Sequence, residues 1–300
     1  MRDVDGKVAF ITGGGSGIGL GMARVFSANG MKVVIADIRQ DHLDAAMAEF
    51  RRTNAAVHPI RLDVTDRAAM AAAADETEAV FGKVHVLCNN AGINLFNDMA
   101  EASYDDWDWV MGVNLGGVIN GVKTFIPRIR AHGEGGHIVN TASMASIISG
   151  SAGIYTASKF AVRGLTEALR WSLAPHGIGV SVLCPGLVKS AIYESDLIRP
   201  DSLSRERAPV NAEFTARLAE IHQSGMEPDE VGEKVLRGIR NNDLFIFPHP
   251  EFKEEVREIF EEILSFMPEG EADPKRLIFE EGRRKMKADA KAAMARNPVR

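Results

Sequence analysis

Short apolar runs alternate with longer amphipathic or alanine-rich stretches through about residue 190. The runs cover residues 8–11, 32–36, 57–62, 84–87, 136–140 and 179–183, and helix-like stretches such as 18–29, 41–52 and 68–81 lie between them. Strand–helix alternation predicts an α/β protein with a parallel sheet and helices on both faces, because parallel strands need crossover connections. Such sheets bind ligands beyond the C-terminal ends of their strands. The residues that follow each strand are therefore the ones to inspect.

From Tyr193 onward the pattern loosens. Residues 194–225 are polar, carry Pro200 and Pro209, and predict a loop with short helices. Residues 244–247 read as a last strand, closed by Pro248-His249-Pro250. Phe252, Val256, Ile259, Phe260, Ile263, Leu264 and Met267 then recur at helical spacing. They predict an amphipathic helix that meets the core or another subunit. The charged segment after Pro274 reads as a solvated helix. We expect one domain over 1–300, with a helical substrate lid at about 191–227 and a C-terminal helical extension at about 251–300.

The net charge of −6 argues against a nucleic-acid partner. No apolar run approaches membrane-spanning length. The first residues lack the apolar core of a secretion signal. The two cysteines, Cys88 and Cys184, make no disulfide framework, so a cytoplasmic location is expected and both thiols read as core residues. The eight histidines are scattered, with no metal-ligand motif, and no metal is expected. His137, at a strand start, and His249, between prolines, read as structural.

The first apolar run leads directly into Thr12-Gly13-Gly14-Gly15-Ser16-Gly17-Ile18-Gly19. A strand, a glycine-rich turn and a helix make a phosphate cradle: glycines admit the pyrophosphate, and the N–H groups at the helix start point at it. Gly13, Gly15, Ser16, Gly17, Ile18 and Gly19 are the candidate contacts. Asp37 ends the second run eighteen residues past Gly19, where a carboxylate would accept hydrogen bonds from an adenosine ribose, with Ile38 beside it. A 2′-phosphate next to Asp37 would be repelled, which predicts NAD over NADP. Arg39 is the cation that could offset this.

Tyr155 and Lys159 stand four residues apart, on one face of a predicted helix. An ammonium about 4 Å from the phenol, at an effective dielectric near 20, contributes on the order of 4 kcal/mol, enough to draw a phenol that ordinarily titrates near 10 toward neutral pH. Ser143, just after the fifth run, could hold a substrate oxygen beside it. Asn114 sits among apolar residues in a predicted helix and needs a partner. It could bind a backbone carbonyl and order a water next to Lys159.

Together these motifs resemble the short-chain dehydrogenase/reductase family. The matching elements are T-G-x-x-x-G-x-G at Thr12–Gly19, Asn89-Asn90-Ala91-Gly92, Asn114, Ser143, Tyr155-x-x-x-Lys159 and Pro185-Gly186, in family order. The resemblance implies a doubly wound Rossmann-type domain of about seven strands. It implies Tyr155 as acid/base, Lys159 as holder of the nicotinamide ribose, Ser143 as orienter of the substrate oxygen and Asn114 as anchor of a relay water. It places Asp63 and Val64 at the adenine, Asn90, Ala91 and Gly92 along the cofactor, and Pro185, Gly186, Val188 and Ser190 at the carboxamide.

Substrate-facing candidates are Asn94, Ser143, Met144, Tyr155, Leu187 and Tyr193, with Ile93, Leu95 and Ile147 nearby. Most are apolar, which suits a hydrophobic alcohol or ketone. The runs at 104–114, 221–228 and 244–250 are similar to those of bacterial NAD-dependent Cα-dehydrogenases that oxidise the benzylic alcohol of lignin-type β-aryl ethers. This resemblance implies an aryl secondary alcohol. The alternatives are an NADPH-linked ketone or acyl reductase and a non-catalytic dinucleotide-binding scaffold. The family resemblance also implies a homodimer or homotetramer, with contacts through the helices around 107–130 and Tyr155–Lys159.

Overall fold

In β1 (Val8–Thr12) alternate side chains enter opposite cores: Phe10 packs on one side of the sheet, Ala9 and Ile11 on the other. Period-two alternation with both faces apolar makes a strand buried on both sides. The structure, a computed structural model, describes residues 1–95, 98–150, 152–205 and 212–296. Pro209 and part of the expected lid lie outside the described residues.

β1 is followed by α1 (Gly17–Ala28), β2 (Lys32–Asp37), α2 (Gln40–Thr53), β3 (Val57–Arg61), α3 (Arg67–Phe81) and β4 (Val86–Asn89). The second half contains α4 (Tyr104–Met111), α5 (Gly117–His132), β5 (Gly136–Thr141), α6 (Gly153–Leu173) and β6 (Ile178–Leu183). Then come α7 (Ala212–Gln223), α8 (Pro228–Asn241), β7 (Phe245–Ile246), α9 (Lys253–Ser265) and α10 (Pro274–Arg296). The strands form one seven-stranded sheet in the order β3-β2-β1-β4-β5-β6-β7, with every pair parallel. The order reverses beside β1, and the crevice there is where a doubly wound sheet binds its ligand.

Close backbone packing sets the start of α1. A Cβ at Gly21 would stand 2.2 Å from the Pro228 carbonyl oxygen, and one at Gly232 2.7 Å from that of Gly21. α1 and α8 therefore touch through their main chains. Two apolar clusters flank the sheet, one around Phe10, Phe125 and Val180, the other around Ile11, Phe26 and Val235. A third, of Ile93, Leu95, Trp109, Val110 and Ile154, lies under the lid residues Ile198 and Leu203. Between α4 and α5 the helix widens into a π turn, Gly112–Gly116, so the helix expected around Asn114 is locally unwound. Phe260, Ile263, Leu264 and Phe266 at the end of α9 and Ile278 and Phe279 in α10 are exposed. Among the described residues no helix is long and apolar enough to cross a membrane.

Candidate active site

The glycine turn after β1 is held from three sides. Gly14 N–H donates to the Ala36 carbonyl (3.1 Å), and Gly15 N–H to Asp37 Oδ2 (3.1 Å). Thr12 Oγ1 accepts from the N–H groups of Asn90 (2.9 Å) and Ala91 (3.0 Å). Asn90 Nδ2 donates to the Thr12 carbonyl (3.2 Å). A Cβ on Gly13, whose φ is +62°, would approach Ala91 Cα to 2.9 Å. Only glycine combines that φ with that contact. Neither Ser16 nor any acidic side chain caps the first turn of α1, so its N-terminal N–H groups remain available to an anion.

A cavity of about 680 Å³ opens over these groups at the C-terminal ends of the strands. Gly13, Ser16, Gly17, Ile18, Asp37 and Ile38 line one end, and Asp63, Val64, Asn90, Ala91 and Gly92 continue it. Ser143, Tyr155, Lys159, Pro185, Gly186, Leu187, Val188, Ser190 and Asn94 line the other. Asp37 uses its carboxylate to accept from Gly15 and Arg39 N–H (3.0 Å), which leaves lone pairs for ribose hydroxyls. The uncapped helix start, the glycine cradle and this carboxylate fit a dinucleotide.

Five expected residues sit elsewhere. Gly15 does not face the cavity, because its N–H is spent on Asp37. Gly19 lies behind the loop, where a Cβ would strike the Gly13 carbonyl oxygen at 2.0 Å. Met144 is buried in the core, with Ile147 beside it, and it begins the 3-10 turn Met144–Ser146. Tyr193 packs its ring 5.5 Å from that of His222 and does not line the cavity. It belongs to the 3-10 turn Ile192–Ile198, whose three-residue period turns Ile192, Ser195 and Ile198 inward and the next position away.

Asn114 is the fifth. It is fully buried, and its amide is engaged by protein: Nδ2 donates to the Ile93 carbonyl (3.0 Å) and Ser158 Oγ (3.0 Å), while Oδ1 accepts from Ile93 N–H (2.9 Å). The expected bond to a backbone carbonyl is the one to Ile93, and both amide protons are spent within the protein. The amide fastens the strand-end segment at Ile93 to α6.

Lys159 Nζ donates to the Thr141 carbonyl (3.0 Å) and stands 5.3 Å from the centre of the Tyr155 ring. Burial pushes the Tyr155 phenol up to about 12, opposed by its hydrogen bond with Ser143. Burial also brings Lys159 down to about 8. Desolvation disfavours the charged form of each. Cys184, with Sγ 3.6 Å from Ser146 Oγ, is pushed up to about 11 by burial, and Cys88 rises further; both are unbridged core thiols.

His249 was not among the expected site residues, yet it grips the loop at 185–190. Its Nδ1 accepts from Gly186 N–H (3.0 Å) and its Nε2 bonds the Leu187 carbonyl (3.0 Å). These partners select the neutral Nε2–H tautomer. The Pro185 carbonyl in turn accepts from Met144 N–H (2.9 Å) and Ser143 Oγ (3.4 Å). Trp109 of α4 and the lid residues Ile192, Ile198, Leu203, Leu218 and His222 also line the cavity.

Among the described residues, one cluster has the donors of a metal site: His85, His132 and Glu134, at the N-terminal ends of the strands and away from the cavity. Its atoms are already engaged. His85 Nδ1 accepts from Val8 N–H (3.1 Å), His132 bonds the Val84 carbonyl (2.9 Å) and Glu134 N–H (3.1 Å), and Glu134 takes Lys7 and Lys83.

A dinucleotide cradle, a ribose-binding carboxylate and a serine, tyrosine and lysine in one crevice define a dehydrogenase site. Residues 7–198 match the family described as short chain dehydrogenase, and the chain belongs to that family. It is similar to the C alpha-dehydrogenase of Sphingobium sp. (strain NBRC 103272 / SYK-6), at 44% identity over 276 residues, covering 91% of this chain and 90% of that protein. Among solved structures it resembles a short-chain dehydrogenase from Novosphingobium aromaticivorans (TM-score 0.85, 44% identity, covering 98% of this chain and 100% of that one). It also resembles a short chain dehydrogenase/reductase from Burkholderia phymatum in complex with NAD (TM-score 0.83, 38% identity, covering 91% of this chain and 100% of that one).

Proposed function

We propose that the protein is an NAD-dependent dehydrogenase that converts a hydrophobic aryl secondary alcohol to the ketone, reversibly. The observation that carries this reading is the convergence of Ser143, Tyr155 and Lys159 on the same cavity as Asp37 and the glycine turn. The apolar lid lining suits an aryl substrate. The C alpha-dehydrogenase similarity supports a benzylic carbinol.

When bound, NAD supplies the hydride acceptor. Ser143 Oγ orients the carbinol oxygen, and Tyr155 Oη takes its proton, returning it in the reverse direction. Lys159 stabilises the phenolate by its charge and holds the ribose hydroxyls. Val188 and Ser190 hold the carboxamide, on a loop braced by His249. Asn114 positions the backbone at Ile93. The whole chain works as one domain, and the two unbridged thiols support a cytoplasmic setting. The exposed apolar residues of α9 and α10 support assembly with further copies of the chain.

The test is Tyr155→Phe, which removes one oxygen from the cavity. It is expected to bind NAD as the parent does and to lose turnover by about 10²–10⁴-fold, read by the absorbance of reduced nicotinamide over a panel of aryl alcohols. A variant that still turns over at the parental rate refutes the assignment. A parent that binds NAD and oxidises nothing in a broad panel favours the scaffold reading.

A further inference from the structure

Arg39 is the cation from which a 2′-phosphate would seek support, and its surroundings occupy it. Its Nε donates to Asp41 Oδ1 (3.1 Å) and its Nη2 to Asp41 Oδ2 (2.5 Å), a two-pronged pair. Its Nη1 donates to Glu194 Oε2 (2.5 Å). Its backbone N–H is bound to Asp37. Every nitrogen of the guanidinium thus faces a carboxylate. Glu194 lies 155 residues away in sequence, in the lid turn Ile192–Ile198. Both residues line the cavity beside Asp37 and Ile38.

The two carboxylates are not equivalent. The Asp41 side chain is 64% exposed, whereas that of Glu194 is 31% exposed and that of Arg39 23%. Exposed ion pairs hold weakly, because water and salt compete for them. Asp41 alone would yield the arginine to an incoming phosphate. Glu194, reaching across from the lid, closes the remaining side and adds a negative charge that repels the same phosphate.

We propose that Glu194 is a cofactor-specificity residue that acts through Arg39: from the lid it neutralises the guanidinium and so denies a 2′-phosphate its cationic partner. This rests on the reading of Asp37 as the ribose ligand and extends it. Rejection of NADP then has two sources, repulsion at Asp37 and sequestration of Arg39. The second belongs to the substrate lid, so cofactor choice depends on the lid being in place.

The experiment measures dissociation constants of NAD and NADP on the full-length protein at low salt, without any alcohol. Glu194→Gln retains a hydrogen-bonding side chain and loses the charge. It is expected to tighten NADP by roughly fivefold to tenfold and to leave NAD within about twofold. In Arg39→Met/Glu194→Gln the gain should vanish, since no cation remains to be released. Glu194→Ala gives a second route to freeing Arg39 and should also tighten NADP if Glu194→Gln folds poorly. Raised ionic strength should shrink each gain.

The proposal is overturned if NADP affinity is unmoved in both Glu194→Gln and Glu194→Ala, or if the gain persists without Arg39. If the parent binds neither dinucleotide, the dinucleotide reading itself fails. NAD binding by the parent together with unmoved variants overturns only the role of Glu194.

Discussion

Lys159→Met removes a buried ammonium whose nitrogen stands 5.3 Å from the centre of the Tyr155 ring. At that separation and an effective dielectric near 20, the attraction between ammonium and phenolate is roughly 3 kcal/mol, which corresponds to about a two-hundredfold change in phenolate population. Burial, opposed on the phenol by its hydrogen bond with Ser143, places the phenol at about 12, and burial brings the amine to about 8. The lysine is cationic below its own value and the phenolate forms toward the tyrosine's. Attraction between them favours the charged pair in the window between those two values. Alcohol oxidation by the parent should therefore rise with pH into that window. In Lys159→Met the phenolate loses its partner and forms only at the upper end. At pH about 8 kcat/KM for an aryl alcohol at saturating NAD should fall roughly two-hundredfold, with a rate still climbing at the highest pH tolerated. The assay is the pH dependence of kcat/KM, with NAD affinity and thermal melting measured alongside, because the Thr141 carbonyl also loses its donor. A variant that stays folded, binds NAD and keeps both the parental rate and the parental pH profile would refute the electrostatic role of Lys159.

Two other perturbations follow from the same geometry. His249→Phe removes the acceptor for Gly186 N–H and the donor to the Leu187 carbonyl; at about 1 kcal/mol per hydrogen bond, KM for NAD should rise by roughly tenfold or more with a smaller change in kcat, and His249→Gln should recover part of it. Steady-state kinetics on the three proteins decide this, and an unchanged KM in His249→Phe sinks it. His137 is held well below its ordinary value by burial, and His85 is lowered by the same cause, so the folded state keeps both neutral. A basic group lowered in the folded state contributes stability that is full above the unfolded value near 6.5 and is lost as pH falls below it. Urea unfolding should show a loss approaching 1.4 kcal/mol per pH unit per fully protected histidine on acidification below about 6.5, and a flat profile there would contradict the assignment.

Much of the fold and site was legible because it is carried by local patterns. The apolar runs match every strand to within a few residues; the inner strands are apolar because they are buried on both faces, whereas the edge strand Val57–Arg61 carries His58 and Arg61 and is only partly buried. The glycine turn and the Tyr155–Lys159 spacing were legible for the same local reason. What escaped depends on contacts distant in sequence. His249 meets Gly186 across 63 residues, and neither histidine nor glycine announces the other. The bond between Asn114 and Ile93 depends on the π turn that carries Asn114, and period-3.6 reasoning does not foresee that turn. Tyr193, a substrate-facing candidate by sequence, packs against His222, while Ile192 and Ser195 of the same 3-10 turn line the cavity. Spacing fixes how near Tyr155 and Lys159 stand but says nothing of desolvation, which the folded surroundings impose on both groups.

The reacting side chains are held by two separate hydrogen-bonded ties, one on each side of the crevice. On one side Asn114 joins Ile93 to Ser158 Oγ, which donates to the Tyr155 carbonyl at 2.7 Å. On the other side Ser143 bonds the Pro185 carbonyl, and His249 fixes Gly186 and Leu187. Tyr155 and Ser143 meet between the ties, so the distance between the phenol and the serine hydroxyl is set by both. A perturbation of either tie alters the same distance without touching a reacting atom. Catalysis by positioning is sensitive at this scale, where about 1 Å of misplacement can cost a hundredfold in rate. Asn114, whose amide bonds Ile93 and Ser158, is thus expected to act as a strut that contributes stiffness.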